Sequence, residues 1–454
     1  DGLWLAVSVN RVSDDAELRV HRTDSDSVVV VPFGARAAFS ADGGWLAYSI
    51  GMHPDERDAA RERDEEVQDE LGLLNLRTGE MEEIEGVQSF EFSDDGAYLA
   101  IRRYKPEDKE SEGADLIVRT MATSGLMSFG NVSSMAWQDE GQLLALTLDA
   151  DGQIGNGVSV FDPGSGQLRS LDAEAATYRS LTWRDESADL AVYKTFEDPA
   201  YLDTAHVALA WRNLDDDTES FELDPATDAY FPQSWRMVQY RAPSWSEDGE
   251  TLFVGIQERR PDPDYVPEPD EDEAENEEDE EDEADDEDQP GVEIWHSLDL
   301  DPVPQQRVRD RQLRQVNFLS AWHIDRGSFI QLGDDLTELT SIVDGDRYVL
   351  GRDESPYDEE AMFRQQFMDV YSIDVETGAK TMIEDRLTMV MGGSPGGQYV
   401  LWFEGEHYFS HDLESGETRN ITADVPTAFV NLDVTPTREQ MPSFGVAGYL
   451  EDDE

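Results

Sequence analysis

Hydrophobic and polar positions alternate along most of this chain, and the alternation is punctuated at regular intervals. The run "FSADGGWLAYSI" (Phe39–Ile50) returns as "FSDDGAYLAIRR" (Phe92–Arg103). It returns again as "AWQDEGQLLALTL" from Ala136, "TWRDESADLAVYK" from Thr182 and "SWSEDGETLFVGI" from Ser244. In each copy an aromatic or apolar strand ends, an acidic turn carrying small residues follows, and an alternating apolar strand leaves. Asp and Gly suit such turns because both tolerate backbone angles that other residues avoid. A second element alternates with the first. "LLNLRTGEMEEI" (Leu73–Ile84), "VSVFDPGSGQLRSL" (Val158–Leu171), "YSIDVETGAKTMI" (Tyr371–Ile383) and "YFSHDLESGETRNI" (Tyr408–Ile421) each read as strand, polar turn, strand.

One copy of each element makes a unit of four short strands. The units recur at roughly 40 to 55 residues, the period of propeller blades. A single such sheet cannot cover both its faces, whereas a stack of them buries the faces against one another. The pattern therefore predicts an all-β propeller of seven or eight four-stranded antiparallel blades spanning residues 1–454.

Two segments break the pattern. "HPDERDAARERDEEVQDE" (His53–Glu70) is polar throughout and reads as a short exposed helix or a mobile loop. "DPDYVPEPDEDEAENEEDEEDEADDEDQPG" (Asp262–Gly291) is a low-complexity acidic insertion within one blade, which resumes at "VEIWHSLDLD". Like charges repel and apolar anchors are absent, so disorder is expected there. Calcium binding is its alternative, but the glycine and ligand spacing of an EF-hand loop are missing. The opening "DGLWLA" matches the second half of a blade turn, and "FGVAGYLEDDE" matches the approach to one. The chain is thus expected to be a piece of something longer, with closure of a ring by its two termini as the alternative.

Composition narrows the partners. Asp and Glu total 103 against 34 Lys and Arg, a net charge of −69. Nucleic acid needs a basic footprint and anionic membranes repel such a surface, so neither is an expected partner. Lys105, Lys109, Lys194 and Lys380 are the only lysines. An acidic surface with almost no lysine points to work in high salt, where self-repulsion is screened. The absence of cysteine removes disulfides, thiolate metal sites and a cysteine nucleophile. No apolar run is long enough for a membrane-spanning helix.

One motif raises a catalytic question. Gly392-Gly393-Ser394-Pro395-Gly396 fits G-x-S-x-G, the nucleophile elbow of serine hydrolases. An elbow needs strand, turn and helix, whereas here the strand "QYVLWF" follows. The residue after the nucleophile must also donate its N–H to the oxyanion hole, and Pro395 has none. "SPGGQYVLWF" aligns instead with "SADGGWLAYS" and "SDDGAYLAIR", so Ser394 matches Ser40 and Ser93 as a turn serine. The histidines (His21, His53, His206, His296, His323, His407 and His411) make no H-E-x-x-H. His407 and His411 share a strand face, but no third ligand is evident, and packing roles are favoured. "DADGQIGNG" (Asp149–Gly157) faintly resembles an oxygen-rich calcium loop, with a plain hairpin loop favoured. Trp137, Trp183 and Trp245 read as core. No catalytic, cofactor-binding or metal-ligating residue is assigned, and no cofactor is expected.

Several runs resemble the N-terminal propeller of prolyl oligopeptidase-family (S9) serine peptidases. They are "VEIWHSLDLDPVPQQRVRDRQLRQVNFLSAWHID" (Val292–Asp325), "YVLGRDESPYDEE" (Tyr348–Glu360), "DVYSIDVETGAK" (Asp369–Lys380) and "GGSPGGQYVLWFEGEHYFSHDLESGETRNITADVPTAF" (Gly392–Phe429). "IWHS" stands where the family has an "IWHW"-like strand. The resemblance implies a propeller followed by an α/β-hydrolase domain, beyond residue 454, that carries Ser, Asp and His. It implies that the propeller screens access to that active site and favours peptides over folded proteins. No residue here matches the family's catalytic motif. Many relatives are exported, which favours a periplasmic or extracellular setting. The alternative is a stand-alone propeller of the TolB or WD40 kind that binds proteins or peptides as a scaffold.

Overall fold

The computed structural model describes residues 2–10, 16–63, 65–265, 309, 312, 314–337, 339–362, 364–431, 433 and 440–450. The part of the acidic insertion from 266 to 291, and His296 with it, lies outside the described residues.

Alternating strands predominate, and they pair with their sequence neighbours. β1 to β3 (Trp4–Val9, Glu17–Arg22, Val28–Pro32) form a three-stranded sheet. β4 to β7 (Gly34–Phe39, Trp45–Ile50, Glu70–Asn75, Met81–Ile84) form a four-stranded one. β8 to β14 (Val87–Phe92, Tyr98–Arg103, Ala114–Thr120, Leu126–Trp137, Leu144–Leu148, Gly157–Asp162, Gln167–Asp172) make a continuous seven-stranded sheet. β15 to β18 (Thr177–Trp183, Leu190–Phe196, Ala205–Arg212, Glu219–Leu223) follow as four strands. Then come β19 to β23 (Trp235–Met237, Ser244–Trp245, Thr251–Glu258, Phe318–His323, Ser328–Gln331). Two more four-stranded sheets complete the series: β24 to β27 (Leu339–Ile342, Tyr348–Asp353, Met368–Asp374, Lys380–Leu387) and β28 to β31 (Val390–Gly393, Tyr399–Glu404, His407–Asp412, Thr418–Asn420). This succession of small up-and-down antiparallel sheets is an all-β fold of the propeller type.

The chain divides into two compact units, Asp1–Phe196 with Ala208–Glu222, and Glu197–Val207 with Leu223–Glu454. In the first, the cores lie between successive sheets. Leu18, Val20 and Val31 of one sheet meet Leu46, Tyr48 and Leu74 of the next. Ala47, Leu71 and Leu73 meet Leu99, Ile101 and Met121. In the second unit, Phe253, Leu319 and Ala321 meet Val349 and Ile373, and Leu350 and Val370 meet Val400 and Trp402. Each middle strand thus has both faces covered, which explains runs such as "LFVGI" that are apolar on both sides.

One six-residue turn joins the first two strands of sheet after sheet. The N–H of residue i reaches the carbonyl of i+5 from Ser40 to Trp45, Ser93 to Tyr98, Gln138 to Leu143, Arg184 to Asp189, Ser246 to Thr251, Val343 to Tyr348 and Ser394 to Tyr399. The turns lean on one another within each unit. Trp137 and Trp183 are buried, and their indole N–H groups donate to the carbonyls of Glu91 (3.2 Å) and Ala136 (2.9 Å) in the preceding strand of the same rank. Trp245, at the equivalent place, is only partly covered. In the segment His53–Glu70 the helix alternative is the one realised: α1 (Pro54–Glu62) starts with Pro54, and His53 caps it by accepting the Asp55 N–H at 3.2 Å.

Several sheets carry a longer connection at the other end, whereas β29 and β30 are joined there by Gly405 and Glu406 alone. The connection between β25 and β26 is one of the longer ones and holds α2 (Asp358–Ala361).

Candidate functional site

Ser394 sits at the first position of a repeated turn and is wholly buried. Its Oγ accepts the Tyr399 N–H at 3.0 Å. Ser40, Ser93 and Ser246 do the same to Trp45, Tyr98 and Thr251. Those three hydroxyls also donate to Asp42, Asp95 and Asp248, two residues on, at 2.7, 2.7 and 2.6 Å. The Ser40 hydroxyl and the Gly44 N–H hold the Asp42 carboxyl below its usual range. In the last turn Gly396 replaces that aspartate. The G-x-S-x-G pattern is thus produced by the same turn with its carboxylate deleted, and the hydroxyl is spent on holding the backbone.

The remaining sequence candidates are also held by their surroundings. His323 is buried, with Nδ1 3.0 Å from the Thr251 hydroxyl and Nε2 3.2 Å from the Val375 carbonyl. His411 is buried against Thr418 at 2.9 Å, and His407, on the same strand, meets Thr422 at 3.1 Å. In Asp149–Gly157 the carboxylates accept backbone N–H groups: Asp149 from Glu112 and Asp151 from Ser111, both at 2.9 Å. Asn156 closes the loop onto Asp149 and Ala150. A cation there would have to displace these donors, so the arrangement is that of a hydrogen-bonded hairpin loop.

A site that no motif announced lies at the long-loop end of β24 to β27. A cavity of about 390 Å³ is lined, among the described residues, by Arg309, Gln312 and Val316, by Asp335, Leu336 and Leu339, and by Arg352 to Ser355 with Asp358. Its volume lies within the range of small-ligand pockets. Val316, Leu336 and Leu339 are its apolar lining residues, and Asp335, Asp353, Glu354 and Asp358 line it together with Arg309 and Arg352.

The walls are fixed by neighbouring groups. Asp353 ends β25, is buried, and accepts both the N–H (3.0 Å) and the hydroxyl (2.5 Å) of Ser355. Asp334 accepts the Leu336 N–H and the Thr337 hydroxyl, and pairs with Lys380 at 2.5 Å. Burial of Asp334 raises its pKa, but the bonds from Lys380 and Thr337 outweigh this and hold it below the usual range. Behind the cavity, Glu360 of α2 pairs with Arg386 at 2.8 Å, and Arg386 lies 4.0 Å from the Phe367 ring. The Tyr357 hydroxyl donates to Asp369 at 2.6 Å; burial and that carboxylate push its pKa up to about 12. Asp335, Glu354 and Asp358 carry no side-chain hydrogen bond or ion pair among the described residues. One carboxylate in each loop, Asp334 and Asp353, thus fixes the local backbone.

No model of a known protein family matches the chain, and no curated protein does. Among solved structures it is similar to the β-propeller domain of the Trilobed protease from Pyrococcus furiosus. The identity is 10% over 84% of this chain and 92% of that one, with a TM-score of 0.34. One of two prolyl endopeptidases is 12% identical over 88% of this chain and 51% of that chain, with a TM-score of 0.36. An oligogalacturonate lyase in complex with manganese is 10% identical over 91% and 97%, with a TM-score of 0.34.

The cavity was missed because its residues follow no spaced motif. The signal available was in "GRDESPYDEE": strand alternation stops at Asp353, and a Pro with clustered acids replaces the short connection seen in "WFEGEHY".

Proposed function

We propose that this chain is the propeller portion of a serine peptidase of the prolyl oligopeptidase type, admitting peptides to a hydrolase domain outside this chain. The observation that carries the reading is the company the family-like runs keep. Tyr348–Glu360, Asp369–Lys380 and Gly392–Phe429 fold as two successive sheets, and the first of these runs forms a wall of the cavity. Ser394 is committed to a turn, so the nucleophile belongs to the other domain. The propeller's contribution is selection: an extended peptide reaches the loop end of its sheets, while a folded protein does not. The stated role requires no metal or cofactor from these residues.

The test is hydrolysis by the full gene product. Short peptides of about ten residues are expected to be cleaved at least tenfold faster than folded proteins of matched sequence. Equal rates on both would remove the gating role, and no peptidase activity at all would leave the scaffold reading.

A further inference from the structure

We propose that the open edge of β1 binds an extended peptide strand that carries a small residue followed by an aromatic one. The site lies wholly within the first unit and is independent of the cavity.

β1 holds the place of a second strand. "GLWLAVSV" (Gly2–Val9) repeats "GGWLAYSI" (Gly43–Ile50), and Gly2 at φ 69° matches Gly43 at φ 63°. In the other sheets the strand at this place (β5, β9, β12, β16, β21, β25 or β29) lies between a first strand and a third. β1 pairs with β2 alone among the described residues. The Thr23 N–H donates to the Leu3 carbonyl, so Leu3, Leu5 and Val7 bond toward β2. The alternation of an antiparallel ladder then turns the N–H and C=O groups of Trp4, Ala6 and Ser8 to the open edge. Edge strands are commonly guarded by lysine, proline or a bulge. Gly2–Asn10 contains no charge and no proline, and its register with β2 is unbroken.

The other sheets specify the occupant. Their first strands set Phe39, Phe92, Trp137, Trp183 and Trp245 directly opposite Leu46, Leu99, Leu144, Leu190 and Leu252. In three of them a small residue precedes the aromatic and faces alanine: Ala38 on Ala47, Ala136 on Ala145 and Thr182 on Ala191. The equivalents in β1 are Leu5 and Ala6, and Leu5 is 53% exposed where Leu46 is wholly buried. Leu3 and Val7, on the same face as Leu5, are exposed as well. A strand added in the shared register lays its aromatic ring on Leu5 and its small residue on Ala6. Main-chain bonds to the edge supply the affinity, and these two side-chain pairs supply the choice of sequence. A second copy of the chain is the poorer occupant, because each copy brings a charge of −69, whereas a short peptide brings almost none.

The experiment is fluorescence anisotropy with the full gene product and a dye-labelled peptide of residues 34–42, GARAAFSAD, which carries Ala38-Phe39. It is expected to bind about tenfold more tightly than a scrambled peptide of the same composition, or than the peptide with Phe39→Ala. Ala6→Pro removes one outward N–H and spares the ladder to β2, and it is expected to abolish the difference. Leu5→Lys alters an exposed side chain and is expected to remove the preference for Phe over Ala in the peptide. A melting curve checks that both variants fold, and should Ala6→Pro not fold, Leu5→Lys decides alone. Equal binding of the parent and scrambled peptides would overturn the proposal. So would no binding at all, which means that the edge is filled by the gene product's own polypeptide. An unchanged preference for Phe in Leu5→Lys would remove the pairing with Leu5. A concentration-dependent dimer that Ala6→Pro dissolves, with no peptide bound, would assign the edge to a second copy and overturn the site. None of these readouts depends on hydrolysis, so the edge site stands or falls apart from the peptidase reading.

Discussion

The ring of Tyr48 occupies the space that a side chain at residue 72 would need. A Cβ built on Gly72 would come within 2.1 Å of Tyr48 Cε2, and the two residues are direct cross-strand partners on β5 and β6. Tyr48 is fully buried, so it has no room to withdraw. Gly72→Ala is expected to cost about 1–3 kcal/mol as an overpacking change. Urea unfolding measures it, and an unchanged midpoint would mean that the ring moves freely.

The repeated turns make a graded prediction. The Ser93 hydroxyl both accepts from Tyr98 and donates to Asp95, whereas that of Ser394 accepts from Tyr399 and has Gly396 in the place of the aspartate. Each lost bond is worth about 1 kcal/mol. Ser93→Ala should therefore destabilise more than Ser394→Ala, by comparison of midpoints under the same conditions.

Four of the repeated turns place a left-handed glycine at their fourth position (Gly43, Gly96, Gly249 and Gly397), whereas two place a glutamate in that region at their third. Glu140 and Glu186 have φ of 50° and 52°, in the left-handed region. That conformation costs a residue with a Cβ about 1–2 kcal/mol, and the greater freedom of glycine in the unfolded chain returns part of it. Glu140→Gly is expected to raise the melting temperature slightly, and a fall would show that the glutamate side chain is itself required.

Acid should act first through the buried histidines. Burial, and then Arg326, lowers the His323 pKa, with Glu376 and Asp248 opposing; burial lowers that of His411. A depressed histidine favours the neutral native state, so its contribution is complete above the unfolded value of about 6.5 and is lost as pH falls below it. His323→Gln should flatten the stability profile between about pH 6.5 and 5 relative to the unsubstituted protein. Parallel profiles would remove this role.

Salt should be needed for stability. The net charge is −69, and each of the four lysines is tied down: Lys105 to Glu112 (2.9 Å), Lys109 to the Gly113 carbonyl (2.7 Å), Lys194 to Glu174 (3.2 Å) and Lys380 to Asp334 (2.5 Å). Screening of the surplus acids outweighs weakening of these few pairs. Melting temperature is expected to climb as KCl rises from 0.1 M to the molar range, and a falling curve would contradict this.

The sheets were legible because they repeat: a turn of Ser, Asp and Gly between alternating strands has few other solutions. The continuity of β11 was not. Its twelve residues serve two neighbouring four-strand patterns, passing Asn131 at φ 60° and shifts of register on both sides, and nothing in "LMSFGNVSSMAW" distinguishes one bent strand from two. α1 was ambiguous because a polar segment has no apolar stripe to announce a helix, and only Pro54 and the cap mark its start. The cavity was hidden by abundance. With 103 acidic residues, no carboxylate stands out until the fold shows Asp334 and Asp353 bonded to the loops that line the cavity.

The central claim is that this propeller serves a hydrolase whose nucleophile is not Ser394. The most direct measurement is fluorophosphonate labelling of the full gene product, with the labelled residue mapped by peptide mass. The account predicts one labelled serine outside residues 1–454 and unchanged labelling in Ser394→Ala. Labelling at Ser394, or a folded full-length product that takes no label, would contradict it.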